Sequence, residues 1–152
     1  MNRDGSESNH VSDSCVPVTA DRRYKFLVMK RVLIVDDSPT MRRMVIASLR
    51  NLGDVTFDEA SSGLEAIEHL ALGRVDLMVL DLNMPDMHGM DVVRFVREHQ
   101  MYRAIPIIIL TTRGDETSRA AALGAGAVLY LTKPFLPNVL SAHVREYLYQ
   151  TA

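Results

Sequence analysis

The chain has 152 residues, enough for one ordinary domain with a real core and short of what two would need. Apolar residues make up 47%, charged residues 24%, and the net charge is −2, so the chain carries no basic footprint for nucleic acid. The single cysteine, Cys15, cannot form an internal disulfide, and no apolar run approaches the ~20 residues of a membrane span. The opening stretch MNRDGSESNHVSDSC lacks the apolar centre of a signal peptide, so the expected location is cytoplasmic.

The first ~22 residues are rich in Ser, Asp and Asn and show no period. A short apolar stretch, Tyr24 to Met29, follows them. We read residues 1–29 as a flexible N-terminal extension and 30–152 as the folded domain, with Met29 as a second possible start. From Lys30 onward, short apolar runs alternate with helical patterns. Val32–Val35 comes first, the length and character of a strand buried on both faces. A helix then starts with Ser38 as N-cap and Pro39 at its first position, and Gly53 stands just past its end. Its apolar stripe is Met41, Met44, Val45, Leu49 and Leu52. A weaker strand spans Val55–Ala60, and a second helix about Gly63–Leu72. Leu77–Leu80 is the next strand, followed by a helix over Met90–His99. Ile107–Leu110 precedes a helix over Glu116–Leu123, which Gly124 and Gly126 end. Val128–Leu131 precedes the last helix, Pro137–Tyr149. Five repeats of strand then helix predict an α/β domain with a parallel sheet.

In open parallel sheets, ligand sites collect at the carboxyl ends of the strands. Here that edge is polar. The first strand ends on Asp36 and Asp37, the third on Asp81, the fourth on Thr111 and Thr112, and the fifth on Thr132 and Lys133. Three clustered carboxylates repel one another, and a hard divalent cation removes that cost. Mg²⁺ suits such a set, since it takes oxygen ligands, keeps waters and binds phosphate oxygens. A carboxylate beside the metal, Asp81, can act as nucleophile toward phosphorus and form an aspartyl phosphate. Lys133 can neutralise phosphoryl charge, and Thr111 can donate to a phosphate oxygen.

The pieces VLIVDDSPTMRRMV, LMVLDLNMPDMHGMDVV, IIILTTRGDE and GAVLYLTKPF, in this order and spacing, resemble the receiver domain of two-component response regulators. The resemblance runs from Lys30 to about Leu148. It implies a flavodoxin-like fold with sheet order 2-1-3-4-5 and helices on both faces. It implies Asp81 as phosphoacceptor, Asp37 and Asp81 as direct Mg²⁺ ligands, Asp36 as the outer acid and Asn83 as a backbone carbonyl ligand. It further implies Thr111 as switch hydroxyl, Tyr130 as the aromatic that moves with it, Lys133 as the phosphate-contacting lysine, and a cis peptide between Lys133 and Pro134. The donor would be a histidine kinase or a histidine phosphotransfer protein. Phosphorylation would remodel the face of helix four, strand five and helix five for a protein target. We class such a module as a signalling receiver and not a metabolic enzyme.

VDDSPTMRRMV and Asn83 are similar to the chemotaxis subset, and the chain ends just after the fifth helix, as in a stand-alone receiver. Arg113 departs from the acidic residue of the enteric chemotaxis regulator, and Thr112 is bulkier than the small residue common there. His88 reads as a solvated loop residue. His69, His99 and His143 read as surface or cap groups. Two other readings stay open: a phosphotransfer intermediate or phosphate sink, and a Mg²⁺-dependent phosphohydrolase. The last lacks the usual D-x-D pattern, because Asn83 fills its second place. No G-x-x-x-x-G-K-[ST] or G-x-G-x-x-G motif is present.

Overall fold

The computed structural model describes residues 29–150. The extension assigned to residues 1–29 and Cys15 fall almost wholly outside these. The elements run β1 (Lys30–Val35), α1 (Pro39–Leu49), a 3-10 turn (Arg50–Leu52), β2 (Val55–Ala60), α2 (Gly63–Leu72), β3 (Leu77–Leu80), α3 (Gly89–Glu98), β4 (Ile107–Thr111), α4 (Glu116–Ala125), β5 (Leu129–Thr132) and α5 (Pro137–Leu148). All strands are parallel, in the order β2-β1-β3-β4-β5. Among the described residues, no helix is long and apolar enough to cross a membrane.

Strand alternation divides the core into two layers. Leu33, Val35, Met78, Leu80, Ile107 and Ile109 face α2, α3 and α4, where they meet Ala66, Leu70, Val92, Val93, Val96 and Ala122. Val32, Ile34, Leu77, Val79, Ile108 and Leu110 face the other way, onto Val45, Leu49, Leu140, Val144 and Leu148 of α1 and α5. Both sides of β1, β3 and β4 are therefore buried, which is why their sequences are apolar without alternation. The edge strands differ. In β5 only Tyr130 is fully buried, so the run Val128–Leu131 is not covered on both faces as its composition suggested. An edge strand has one neighbour and one well-covered face, and its apolar content alone does not reveal this.

The expected stripe of α1 also needs correction. Val45 and Leu49 are buried, but Met44 is 50% exposed. It rims a shallow apolar groove with Ala47, Phe135 and Pro137, between α1 and the start of α5. The α-helix ends at Leu49 and tightens into the 3-10 turn before Gly53, whose φ of +88° turns the chain into β2.

Two tight approaches fix the layers. At Gly89, the first residue of α3, an added Cβ would lie 2.5 Å from the Asp81 carbonyl oxygen and 2.7 Å from Leu82 Cα. The helix can start this close to β3 only because position 89 has no side chain. At the opposite edge of the sheet, Arg97 of α3 donates to three carbonyls: Gly126 (Nε 2.9 Å, Nη2 2.7 Å), Arg103 (2.9 Å) and Ile105 (2.6 Å). Burial pushes its guanidinium pKa below the usual value. Gly126 caps α4 in the left-handed region, at φ +119°, and Arg97 packs where its Cβ would be.

Two stability predictions follow from these approaches. Arg97→Leu strips a charged donor from three carbonyls and should cost about 2 kcal/mol, read from urea unfolding midpoints. Gly89→Ala should cost roughly 1–3 kcal/mol in the same measurement, because backbone and not a flexible side chain must give way.

Candidate functional site

The crevice at the carboxyl edge opens where chain order reverses, between β1 and β3. Asp36 and Asp37 leave β1, and Asp81 leaves β3 in the neighbouring register position. One carboxylate oxygen from each of the three lies within 4.8 Å of the others. Asp36 and Asp81 are buried, at 4% and 6% exposure, and Asp37 is exposed.

Each carboxylate is held by short-range geometry. Asp36 Oδ1 accepts from the Ser38 N–H at 2.9 Å, in the turn that leads into α1. Ser38 itself caps α1, its hydroxyl accepting from the Met41 N–H at 3.2 Å. Asp81 Oδ1 accepts from the Asn83 N–H at 3.2 Å. Lys133 crosses from the end of β5 to reach both acids, with Nζ 2.6 Å from Asp36 Oδ2 and 3.3 Å from Asp81 Oδ2. The Lys133–Pro134 peptide is cis. Three carboxylates thus face one ammonium, which leaves negative charge in excess. All offered atoms are hard oxygens and one face is open at Asp37, so the residues present fit a Mg²⁺ ion.

Thr111 ends β4 and is fully buried. Among the described residues its hydroxyl has only long contacts, 3.5 Å from Asn83 Nδ2 and 3.5 Å from the Arg113 N–H. Good hydrogen bonds of these types are shorter by several tenths of an ångström, so Thr111 retains capacity for a better partner. Asn83 Nδ2 also lies 3.4 Å from the Thr112 hydroxyl, which places both side chains over the same entrance. Tyr130 of β5 is buried, and its hydroxyl donates to the Arg113 carbonyl. Burial, with the Asp115 charge adding, pushes its phenol pKa above the ordinary value, so the O–H is kept as a donor. Tyr130 and Thr111 are therefore joined through the backbone of Arg113 and not directly.

Sequence reading missed three supports. Arg42 of α1 donates to the Asp36 carbonyl at 2.6 Å and pairs with Glu59 at 3.0 Å. Asp86, in the loop after Asp81, accepts from the Gly63 and Leu64 N–H groups at 3.3 and 3.2 Å and so caps α2. Its slight loss of water would raise its pKa, but the N–H groups of Leu64, Met87 and Gly63 outweigh that and lower it. Asp115 caps α4 by accepting from the Ser118 N–H at 2.9 Å, which with the Ser118 hydroxyl lowers its pKa. Asp115, directly before a helical run, carried a readable cap signal. Arg42 and Asp86 carried none, because Glu59 lies 17 residues from Arg42 and Gly63 lies 23 from Asp86. His88 is exposed in the loop as expected, and in addition its Nδ1 accepts from the Met90 N–H at 3.1 Å and caps α3.

Comparison with known proteins agrees with this fold. Residues 32–145 match the model of the response regulator receiver domain. The chemotaxis protein CheY1 of Helicobacter pylori is 43% identical over 111 residues, which covers 72% of this chain and 90% of that protein. A chemotaxis protein CheY homolog of Campylobacter jejuni is 40% identical over 119 residues, 78% of this chain and 92% of that one. Among solved structures, the chemotaxis response regulator CheY4 of Vibrio cholerae superposes with a TM-score of 0.72 at 34% identity, covering 78% of this chain and 98% of that one. The Mn²⁺-bound form of response regulator Rcp1 gives a TM-score of 0.73 at 25% identity, over 81% of this chain and 97% of that one. With five parallel strands in this order, an acid cluster at the switch point and a family match that spans most of its length, the chain belongs to the response regulator receiver domain family, and the Helicobacter pylori and Campylobacter jejuni relatives are chemotaxis proteins.

Proposed function

We propose that the protein is a phosphorylation-switched signalling receiver whose phosphoacceptor is Asp81. The observation that carries this reading is the convergence of Asp36, Asp37 and Asp81 on one point with Lys133 beside them. A histidine kinase or histidine phosphotransfer protein supplies the phosphoryl group. An Asp81 carboxylate oxygen attacks the phosphorus of the donor phosphohistidine. The P–O bond forms as the P–N bond breaks, and the electron pair leaves with the imidazole nitrogen, which is protonated from solvent. Bound Mg²⁺ supplies electrostatic stabilisation of the transferring phosphoryl oxygens. Asp37, Asp81 and the Asn83 backbone carbonyl would hold it directly, with Asp36 as the outer acid. A Mn²⁺-bound relative, Rcp1, supports a divalent cation in this fold.

Lys133 already stands 3.3 Å from Asp81 and exchanges part of its pairing with Asp36 for the new phosphate. Thr111, whose hydroxyl has only long contacts, turns toward a phosphate oxygen. Its movement acts on Arg113, whose carbonyl receives the Tyr130 hydroxyl. The phosphate thus biases the face of α4, β5 and α5 between two states, and a protein target reads that face in the cytoplasm.

Incubation of the protein with acetyl phosphate and Mg²⁺ should add one phosphate by intact mass. Asp81→Asn and chelation of the metal should each abolish the addition, and a folded wild-type chain of unchanged mass would sink the reading. Added Mg²⁺ should raise the thermal midpoint of the unphosphorylated protein, and Asp37→Asn should remove most of that rise. In a pull-down, the beryllofluoride-treated protein should retain a partner that the untreated protein and Asp81→Asn do not.

A further inference from the structure

Arg42 looks like a solvated cation on the outer face of a helix. The structure places it elsewhere: its side chain is 14% exposed and its guanidinium spans two elements. Nη1 donates to the Asp36 carbonyl oxygen at 2.6 Å, and Nε donates to Glu59 Oε1 on the edge strand β2 at 3.0 Å. Its own N–H donates to the Ser38 carbonyl at 3.1 Å, so it stands in the first turn of α1, directly after the acid pair.

The Asp36 carbonyl belongs to the peptide that joins Asp36 to Asp37. A peptide is planar, so fixing its oxygen fixes the direction in which the chain continues to the Asp37 Cα. The Asp36 carboxylate is separately held, Oδ1 by the Ser38 N–H and Oδ2 by Lys133. Asp37 is exposed, and its aim depends on the backbone it stands on. A lysine in place of Arg42 would bring one compact ammonium and no fork to span the carbonyl and Glu59.

We propose that Arg42 is a positioning residue for the metal-binding acids: clamped by Glu59, it sets the Asp36–Asp37 peptide so that Asp37 faces Asp81. This rests on the metal-assisted reading of the site given above. A purely electrostatic role has the opposite signature. A cation beside a cation site opposes metal binding, so deleting a mere charge would tighten Mg²⁺ binding. Deleting a positioning group weakens it.

The test uses the full chain. Calorimetry measures the Mg²⁺ dissociation constant of the unphosphorylated protein, and the Mg²⁺ dependence of phosphorylation by acetyl phosphate is measured alongside. Arg42→Met should weaken Mg²⁺ binding about tenfold. Its phosphorylation rate at saturating Mg²⁺ should fall much less, because the loaded site keeps all its ligands. Glu59→Ala should weaken binding in the same direction, and Glu59→Gln, which keeps an acceptor oxygen, should restore it. Wild-type or tighter binding in folded Arg42→Met would overturn the proposal. Should Arg42→Met fail to fold, Glu59→Ala decides, and an unchanged dissociation constant there overturns it equally. A wild-type chain that takes up neither Mg²⁺ nor phosphate would remove the functional reading itself; a wild type that takes up both, matched by the variants, removes this inference alone.

Discussion

The Lys133 ammonium, between Asp36 and Asp81, is the interaction on which the rest of the molecule depends. It joins residues 97 and 52 positions apart in sequence, just past the ends of three different strands. Taking charges out of water is expensive, and two buried carboxylates without a cation would oppose folding of the edge that holds them. Lys133 offsets part of that cost but not all, because Asp37 adds a third carboxylate to the cluster. The site is stable enough to exist and unbalanced enough to favour a further cation. That imbalance connects the fold to its chemistry. A core that neutralised its acids fully would have no reason to hold a divalent ion.

The same trade appears at Thr111. A buried hydroxyl is normally satisfied, yet this one has contacts of 3.5 Å. Fully satisfied, it would be locked to its present neighbours. Loosely held, it can exchange them for a better partner at little cost. The Lys133 N–H donates to the Thr111 carbonyl at 2.8 Å, which ties the backbones of these two residues together across the sheet edge. Rigid backbone with under-committed side chains is the arrangement a two-state switch requires.

Much of the fold was legible because its physics is local or periodic. Strands buried on both faces must be apolar throughout, and Leu77–Leu80 and Ile107–Leu110 are. Ser38 with Pro39 marks a helix start whatever surrounds it, and Gly126 marks a stop. The strand-end acids were legible as a group because parallel topology gathers strand ends on one edge. What was not legible depends on distant partners. The half-covered face of β5 follows from its place at the sheet edge. The exposure of Met44 follows from how α5 meets α1. Arg42 and Asp86 look like surface charges until β2 and α2 are placed beside them.

These hidden supports have a common logic. Each ties a residue near the acids to an element outside the crevice: Arg42 to β2 through Glu59, and Asp86 to the start of α2. The acids stand on loops, and a loop alone holds geometry less well than a helix or strand. Cross-links to regular elements supply the missing rigidity without filling the crevice, and they leave the open side at Asp37 free. Chemistry at the edge therefore draws its precision from the whole sheet. Under the role proposed for Arg42, a substitution at Glu59 on β2 acts on the acids through a guanidinium and one peptide plane.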